Sequence, residues 1–507
     1  MTVFTKGAII MRLSIITLLC VLVNLATECV QAAVSMPDTS KMNILFINIE
    51  DCNASALGCY GNPICKTPNL DKFCASGIRF DAAYVQAIAC NPSRSSFLTG
   101  LRPRTTGIIS NGHVMDKNLP PGTATLPEVL KSGGFHLTDI GKLFHKIDYA
   151  EKRYAAFDRL EFYQKPSGWT GPEPMLKFPP VKTHERDPKP KDEKSREYRE
   201  WKARHSDRFG DSGLEYEEHG DYRMAATAVA VLKDYAKTGR RFFLSVSQSR
   251  PHTPLTAPKK FLDMYNPAKI PEPQAPVSSL KNFPYMKRAT GGNPDIFMKQ
   301  QPTPTQVQEA IAAYYACCSM VDANIGMMLD VMEETGLAKN TIVVFLGDHG
   351  FHLGDHGFWS KYSMLAATHR APLVIRVPGA PGNGKACSGI VEFVDFIPTL
   401  CELAGVKPLS VQEGISFAPL FADPSRPWKK AAFITEGDSE DGDGVRTPKF
   451  SYMEFRKCEL PAALFDLTKD PWETVNVVDD PLYANARTEM AALLKEGWKA
   501  ALPDNPR

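Results

Sequence analysis

With 59 Lys and Arg set against 57 Asp and Glu, the 507-residue chain lacks a strong excess of either charge, its formal net charge being +2. That balance excludes a global electrostatic affinity for nucleic acid or a membrane surface, so any anion-binding capacity must be local. Long apolar runs are also missing after the N-terminus, which excludes a stable membrane insertion of the mature chain. No Cys-x-x-Cys pair occurs: Cys52, Cys59, Cys65 and Cys74 crowd together at other spacings, which argues against a structural zinc site. Internal repeats are absent, so a solenoid is excluded. The one apolar run, 13–25, follows Arg12 and leads to Val30-Gln31-Ala32, small residues at cleavage spacing. Residues 1–32 are therefore expected to be a signal peptide. The mature protein is expected in a periplasm, outside the cell or in a lysosome-like lumen.

What remains is ordinary for a globular protein: 43% apolar and 23% charged residues, in a chain long enough for a sizeable core. Apolar runs bounded by turn signals alternate with helical patterns, which predicts an α/β fold. Strands are expected at 43–49, 242–246, 341–346 and 373–377, and helices at 305–335 and 395–404. Residues 176–213 are crowded with charge and proline, and read as an exposed insertion or as a lid over an anionic substrate. Beyond 426, short strand-like pieces precede an amphipathic helix at 484–501.

The densest chemical signal is Cys90-Asn91-Pro92-Ser93-Arg94-Ser95-Ser96-Phe97-Leu98-Thr99-Gly100. Pro92 suits a first helical turn, where its missing N–H costs nothing. Cys90 would then sit at the positive mouth of a helix with Arg94 one turn on, and both features favour an anion there. Glu50-Asp51 ends the first predicted strand, and Asp348-His349 follows a later one. Carboxylates leaving strand ends in an α/β sheet face the ligand crevice, and such oxygen-rich sets suit Ca²⁺ or Mg²⁺. His349, His352 and His356 invite a zinc reading, but the segment is broken by glycine, unlike a helical His-Glu-x-x-His.

The Cys90 stretch fills every fixed position of Cys-x-Pro-Ser-Arg-x-x-x-Leu-Thr-Gly, and so resembles the formylglycine-dependent sulfatases. Within that family, Leu57-Gly58-Cys59-Tyr60-Gly61, Gly141-Lys142-Leu143-Phe144-His145, Pro251-His252-Thr253-Pro254, the Gly354-x-His356-Gly357-x-Trp359-x-Lys361-Tyr362-Ser363 segment and Ala367-Thr368-His369 look most like the iduronate-2-sulfatase branch. The resemblance implies an alkaline-phosphatase-superfamily mixed sheet flanked by helices, with a smaller antiparallel sheet plus helix, divided at 33–425 and 426–507. It implies that a formylglycine-generating enzyme acts on Cys90 to provide the nucleophile, and that Ca²⁺, in preference to Mg²⁺, is held by Glu50, Asp51, Cys90, Asp348 and His349. Glu50 departs from the family's usual Asp-Asp.

The implied substrate is a sulfated carbohydrate. Arg94 and Lys142 would hold the sulfate, His252 or Lys361 would protonate the leaving alcohol, and His145 would serve as base. His352 and His356 are expected as loop or substrate-facing residues. Removing Cys20, Cys29 and a converted Cys90 leaves an odd number of cysteines, so at least one thiol is expected free or paired between chains. The sequon Asn53-Ala54-Ser55 is expected unmodified beside a metal ligand. The rival readings are a phosphate or phosphonate monoester hydrolase of the same superfamily and a silent sulfated-glycan-binding protein.

Overall fold

Asn43–Ile49, a run of seven residues buried along its whole length, is the centre of the architecture. A strand buried on both faces reads as a near-continuous apolar segment, as expected where helices cover both sides of a sheet. The structure is a computed structural model describing residues 36–146, 149–161, 169–180, 188–192, 195–205, 207–276, 297, 302–409, 411–437, 441–456 and 462–505. The expected signal peptide lies outside the described residues, as does part of the 176–213 stretch. Residues 38–507 form one compact unit.

The main sheet contains β1 (Asn43–Ile49), β2 (Ile78–Phe80), β3 (His136–Ile140), β4 (Arg159–Glu161), β5 (Phe242–Gln248), β6 (Thr341–Gly347), β7 (Leu373–Arg376) and β8 (Ala386–Cys387). Their order is β8-β2-β7-β6-β1-β5-β3-β4. β7 alone runs against its neighbours β6 and β2, so the sheet is mixed. Register decides where the chemistry goes. Ile49 lies opposite Gln248 on one side and Gly347 on the other, while Ile140 lies opposite Val246. The segments after β1, β3, β5 and β6 therefore leave the sheet along one edge.

The helices that matter here are α1 (Cys90–Thr99), α2 (Gly220–Thr238), α3 (Pro304–Glu334), α4 (Phe396–Leu403) and α5 (Ala484–Glu496). One face of the sheet, with Leu45, Ile47 and Ile49, packs on apolar residues of α2 and α3. On the other face Phe46 meets Phe97 of α1 at 6.1 Å and Phe396 of α4 at 6.3 Å between ring centroids. This alternation follows from the two-residue period of a strand. α3 starts where its sequence says it should: Thr303 Oγ1 accepts from Gln306 N and Gln306 Oε1 accepts from Thr303 N, with Pro304 at the first helical position.

A second sheet of β9 (Ala432–Glu436), β10 (Gly442–Arg446), β11 (Phe450–Phe455) and β12 (Ala462–Asp466) is antiparallel throughout. Met490 of α5 joins Val445, Tyr452 and Leu464 on one face. The other face carries Ile434, Met453 and Phe465 against Ile88, Phe358 and Met364, and so supports the approach to α1. The charged insertion contributes the helix Arg196–His205.

Candidate functional site

α1 is built from small polar residues, yet every one of its residues is buried. A buried polar helix is stable only if its groups find partners. Asn91 N donates to Asn111 Oδ1 and Ser93 Oγ donates to the Asp348 carbonyl, while Gly100 closes the helix in the left-handed region at φ 69°. Cys90, 1% exposed, is thereby fixed at the helix mouth beneath the edge where β1, β3, β5 and β6 end.

Three ion pairs surround it. Lys361 Nζ lies 2.8 Å from Asp51 Oδ1 and 3.2 Å from Cys90 Sγ. Arg94 Nη2 lies 2.9 Å from Asp348 Oδ2, and Lys142 Nζ is bonded to Glu50 Oε2. His349 Nε2 approaches Cys90 Sγ at 3.4 Å and Asp51 Oδ1 at 3.4 Å, while Nδ1 faces the Gly350 carbonyl at 2.9 Å. That second contact assigns a proton to Nδ1 and turns Nε2 into the cluster, where burial opposes charging but Asp348, Cys90 and Asp51 raise the imidazole pKa to about 9. His252 Nε2, on a side chain 28% exposed, stands 3.8 Å from Asp51 Oδ2.

Burial alone would raise the three carboxyls, but the cations reverse it. Glu50 is held at about 2 by Lys142, Arg94 and His252, and Asp51 and Asp348 are held well below the usual carboxylate range. For the Cys90 thiol burial is again the largest influence, opposing ionisation, yet Lys361, Lys142 and His349 bring its pKa down. Burial and the neighbouring Lys142 push His145 down to about 2, so its imidazole is neutral.

The donors fit a metal. Asp51, Cys90 and His349 can bring one ligand atom each within 4.8 Å of one another, and so can Glu50, Cys90 and Asp348. Asp51 Oδ2 is buried without a hydrogen-bond partner among the described residues, as an atom reserved for a cation would be. With three carboxylates matched by Arg94, Lys142 and Lys361, an added divalent ion would leave the site positive, which suits an anionic ester.

Arg94 is held from several sides. Nε and Nη2 donate to Asp348 Oδ2, Nη1 donates to the Lys142 and Leu143 carbonyls, and the Asn48 amide oxygen, turned toward the fork, accepts from both terminal nitrogens at 2.9 Å. The fork is thus occupied by the chain itself and fixes Asp348. Lys142 likewise is tied to Glu50. His352 is not substrate-facing: it is buried, with Nε2 2.6 Å from Ser363 Oγ. His356 is also buried, on the wall of a separate cleft. Asn53 is buried and donates to the Phe351 carbonyl at 2.6 Å, which leaves its amide no room for a glycan.

Two participants escaped sequence reasoning. Asn48 is one of two asparagines within Asn43–Ile49, and which of them reaches the site is readable only once the strand's ends and faces are assigned. Tyr314 of α3 donates to the Asp51 carbonyl at 2.7 Å and accepts from Asn53 N at 2.8 Å. Its helical spacing marked it as core, and nothing local distinguishes it.

Comparison with known proteins agrees with this geometry. Residues 42–406 match the family model described as Sulfatase, and residues 354–499 match the C-terminal model of N-sulphoglucosamine sulphohydrolase. A sulfatase of Formosa agariphila is 29% identical over 90% of this chain and 87% of its own. Iduronate 2-sulfatase of mouse is 30% identical over 73% of this chain and 69% of its own. In fold, the phosphonate monoester hydrolase of Agrobacterium radiobacter superposes with a TM-score of 0.72 at 22% identity, covering 90% of this chain and 95% of that one. With the family model spanning well over half its length, and the Cys90–Gly100 segment seated among ion-paired carboxylates, the chain belongs to the sulfatase family and is a sulfuric ester hydrolase.

Proposed function

We propose that the protein is an exported hydrolase that removes sulfate from a sulfated sugar of the kind the mouse relative's name describes, a 2-sulfated uronic acid. The observation that carries this reading is the convergence on Cys90 Sγ of Lys361 and His349, with Asp51 and Asp348 behind them.

A formylglycine made from Cys90 would supply a hydrated aldehyde as nucleophile, and Ca²⁺ held by Glu50, Asp51, Asp348, His349 and position 90 would supply Lewis acidity toward the sulfate oxygens. The chain's own residues do the rest. Lys361, kept charged by Asp51 and Cys90 against the cost of burial, places fixed positive charge where negative charge develops. Arg94 and Asn48 hold Asp348 in one orientation, and Tyr314 fixes the backbone at Asp51. Lys142 keeps Glu50 ionised and oriented. His252, partly open to solvent, has Nδ1 against the Thr253 carbonyl and Nε2 3.8 Å from Asp51 Oδ2; with a proton on both nitrogens it would donate from Nε2 to the departing alcohol. His145 is half-buried, with its Nδ1 unpartnered among the described residues. It is placed to act as the base for the second hydroxyl once the negative charge of a bound sulfate offsets the burial and the Lys142 charge that hold its pKa at about 2.

The test is the mass of the Cys90-containing tryptic peptide from a host able to install formylglycine, followed by turnover of matched sulfate and phosphonate esters. A loss of about 18 Da with a preference for the sulfate ester is expected. An unmodified thiol in a host that converts a control sulfatase, or a preference for the phosphonate, would overturn the reading.

A further inference from the structure

A second cleft, of about 650 Å³, is lined by residues other than those gathered on Cys90. Its walls are the segment after β1, the stretch from Leu365 to Arg370, and the chain from Arg446 and from Leu467 to Glu473 around the antiparallel sheet. None of Glu50, Asp51, Cys90, Lys142, His252, Asp348, His349 or Lys361 lines it. Its size falls in the roughly 300–1,000 Å³ range of small-molecule sites.

The chemistry of the walls is specific. Arg370 is half-buried and donates through Nη2 to Ser55 Oγ at 2.7 Å, and no described carboxylate pairs with it. The neighbouring Arg446 differs, being neutralised by Glu473 at 2.8 Å. Trp472 is 43% exposed, one of the few large apolar side chains on the described surface. It is not loose. The next residue, Glu473, is buried in the left-handed region at φ 57°, where its carboxylate accepts from Ala366 N at 2.7 Å and from Arg446. A non-glycine residue held there costs on the order of 1–3 kcal/mol, which the surrounding contacts must offset. The same pair of bonds ties the tryptophan to the segment that carries Arg370. Glu272 sits exposed on the rim, where its carboxylate can accept from hydroxyl groups.

A rigid aromatic plane, an uncompensated guanidinium and a hydroxyl acceptor fit an acidic sugar. They fit neither a purely apolar ligand nor a polyphosphate, which would want several free cations. The geometry points to a second saccharide site in this cleft, with Arg370 receiving a sulfate or carboxylate and Trp472 stacking on the ring. The inference rests on the reading that the substrate is a sulfated sugar. Its consequence is that the enzyme binds oligosaccharide chains better than single sugars, through contacts remote from the cleaved ester.

The experiment compares wild type with Trp472→Ala and Arg370→Ala on two substrates, a small aryl sulfate and a tetrasaccharide of alternating 2-sulfated uronic acid and hexosamine. Trp472 is exposed, so its variant keeps the fold. The expected result is a KM for the tetrasaccharide raised about tenfold in each variant, with aryl sulfate kinetics within about twofold of wild type. An unchanged tetrasaccharide KM, or equal losses on both substrates, would overturn the second site. If the aryl sulfate is turned over but no sulfated sugar is, the substrate reading fails on its own. Calorimetric binding of the tetrasaccharide to Cys90→Ala protein then decides the cleft: binding lost on adding Trp472→Ala supports it, and binding unaffected, or absent from the start, refutes it.

Discussion

Replacing Lys361 with methionine removes one positive charge and little volume from the centre of the site. The ammonium is 2% exposed and stands 2.8 Å from Asp51 Oδ1 and 3.2 Å from Cys90 Sγ. At an effective dielectric near 20, a full charge pair at that first separation interacts by about 6 kcal/mol, most of it offset by desolvation. Breaking such a buried pair from one side costs about 3–5 kcal/mol, because Asp51 keeps its burial and loses its partner. For the reaction, about half an elementary charge developing some 3.5 Å from the ammonium gains about 2.4 kcal/mol, or roughly 50-fold in rate. Loss of a preorganised donor to a developing oxyanion is commonly about 10²–10³-fold, so a fall in kcat near 10² is expected. The assay is steady-state hydrolysis of a chromogenic aryl sulfate. Conversion at position 90 is first confirmed by mass, and folding by near-ultraviolet circular dichroism. A folded, converted Lys361→Met protein that keeps kcat within about threefold of wild type would refute the assignment of this charge to the reaction.

Arg94→Lys keeps the charge but loses the fork that holds Asp348 and two carbonyls; calcium titration of metal-stripped protein should show affinity weakened about 10–100-fold. Chelation should abolish activity, with Ca²⁺ restoring it better than Mg²⁺ in a reactivation assay, because the cluster offers several negative oxygens at adjustable spacing. Away from the site, Glu392 is buried between Arg102, at 2.6 Å, and Lys429, at 2.9 Å, which hold its carboxyl well below the ordinary 4.5. A depressed folded pKa adds stability above about pH 4.5 that is lost as pH falls through the folded value. Lys429→Met should therefore lower the urea midpoint at pH 7 and make its decline between about pH 5 and pH 3 shallower.

Much of this was legible in the chain. Asn43–Ile49 and Thr341–Gly347 announced themselves because strands buried on both faces are continuous apolar runs. The long helix was legible at 305–335 from its apolar periodicity, and its start is fixed by Pro304 and the Thr303–Gln306 exchange, a local interaction. His352 was expected as a loop or substrate-facing residue, and its burial against Ser363 was not legible because a histidine in a glycine-broken loop carries no local sign of whether it faces solvent or the core. Arg94 was read from its place beside Cys90, whereas its partners come from β1, from the segment after β3 and from the end of β6.

The sequence by itself determined the Cys90–Gly100 signature, the elements that carry the acidic pairs and the family, since each depends on residues adjacent in the chain. Only the tertiary structure decided which cation serves which carboxylate, that the Arg94 fork is engaged by Asp348, Asn48 and two carbonyls, and that a second cleft exists between Arg370 and Trp472. Those outcomes depend on strand register, which brings residues some 300 positions apart within hydrogen-bonding distance, as for Asp51 and Lys361. Local pattern does not encode such pairings. They follow from how the buried strands stack and from the requirement that every buried charge find a partner.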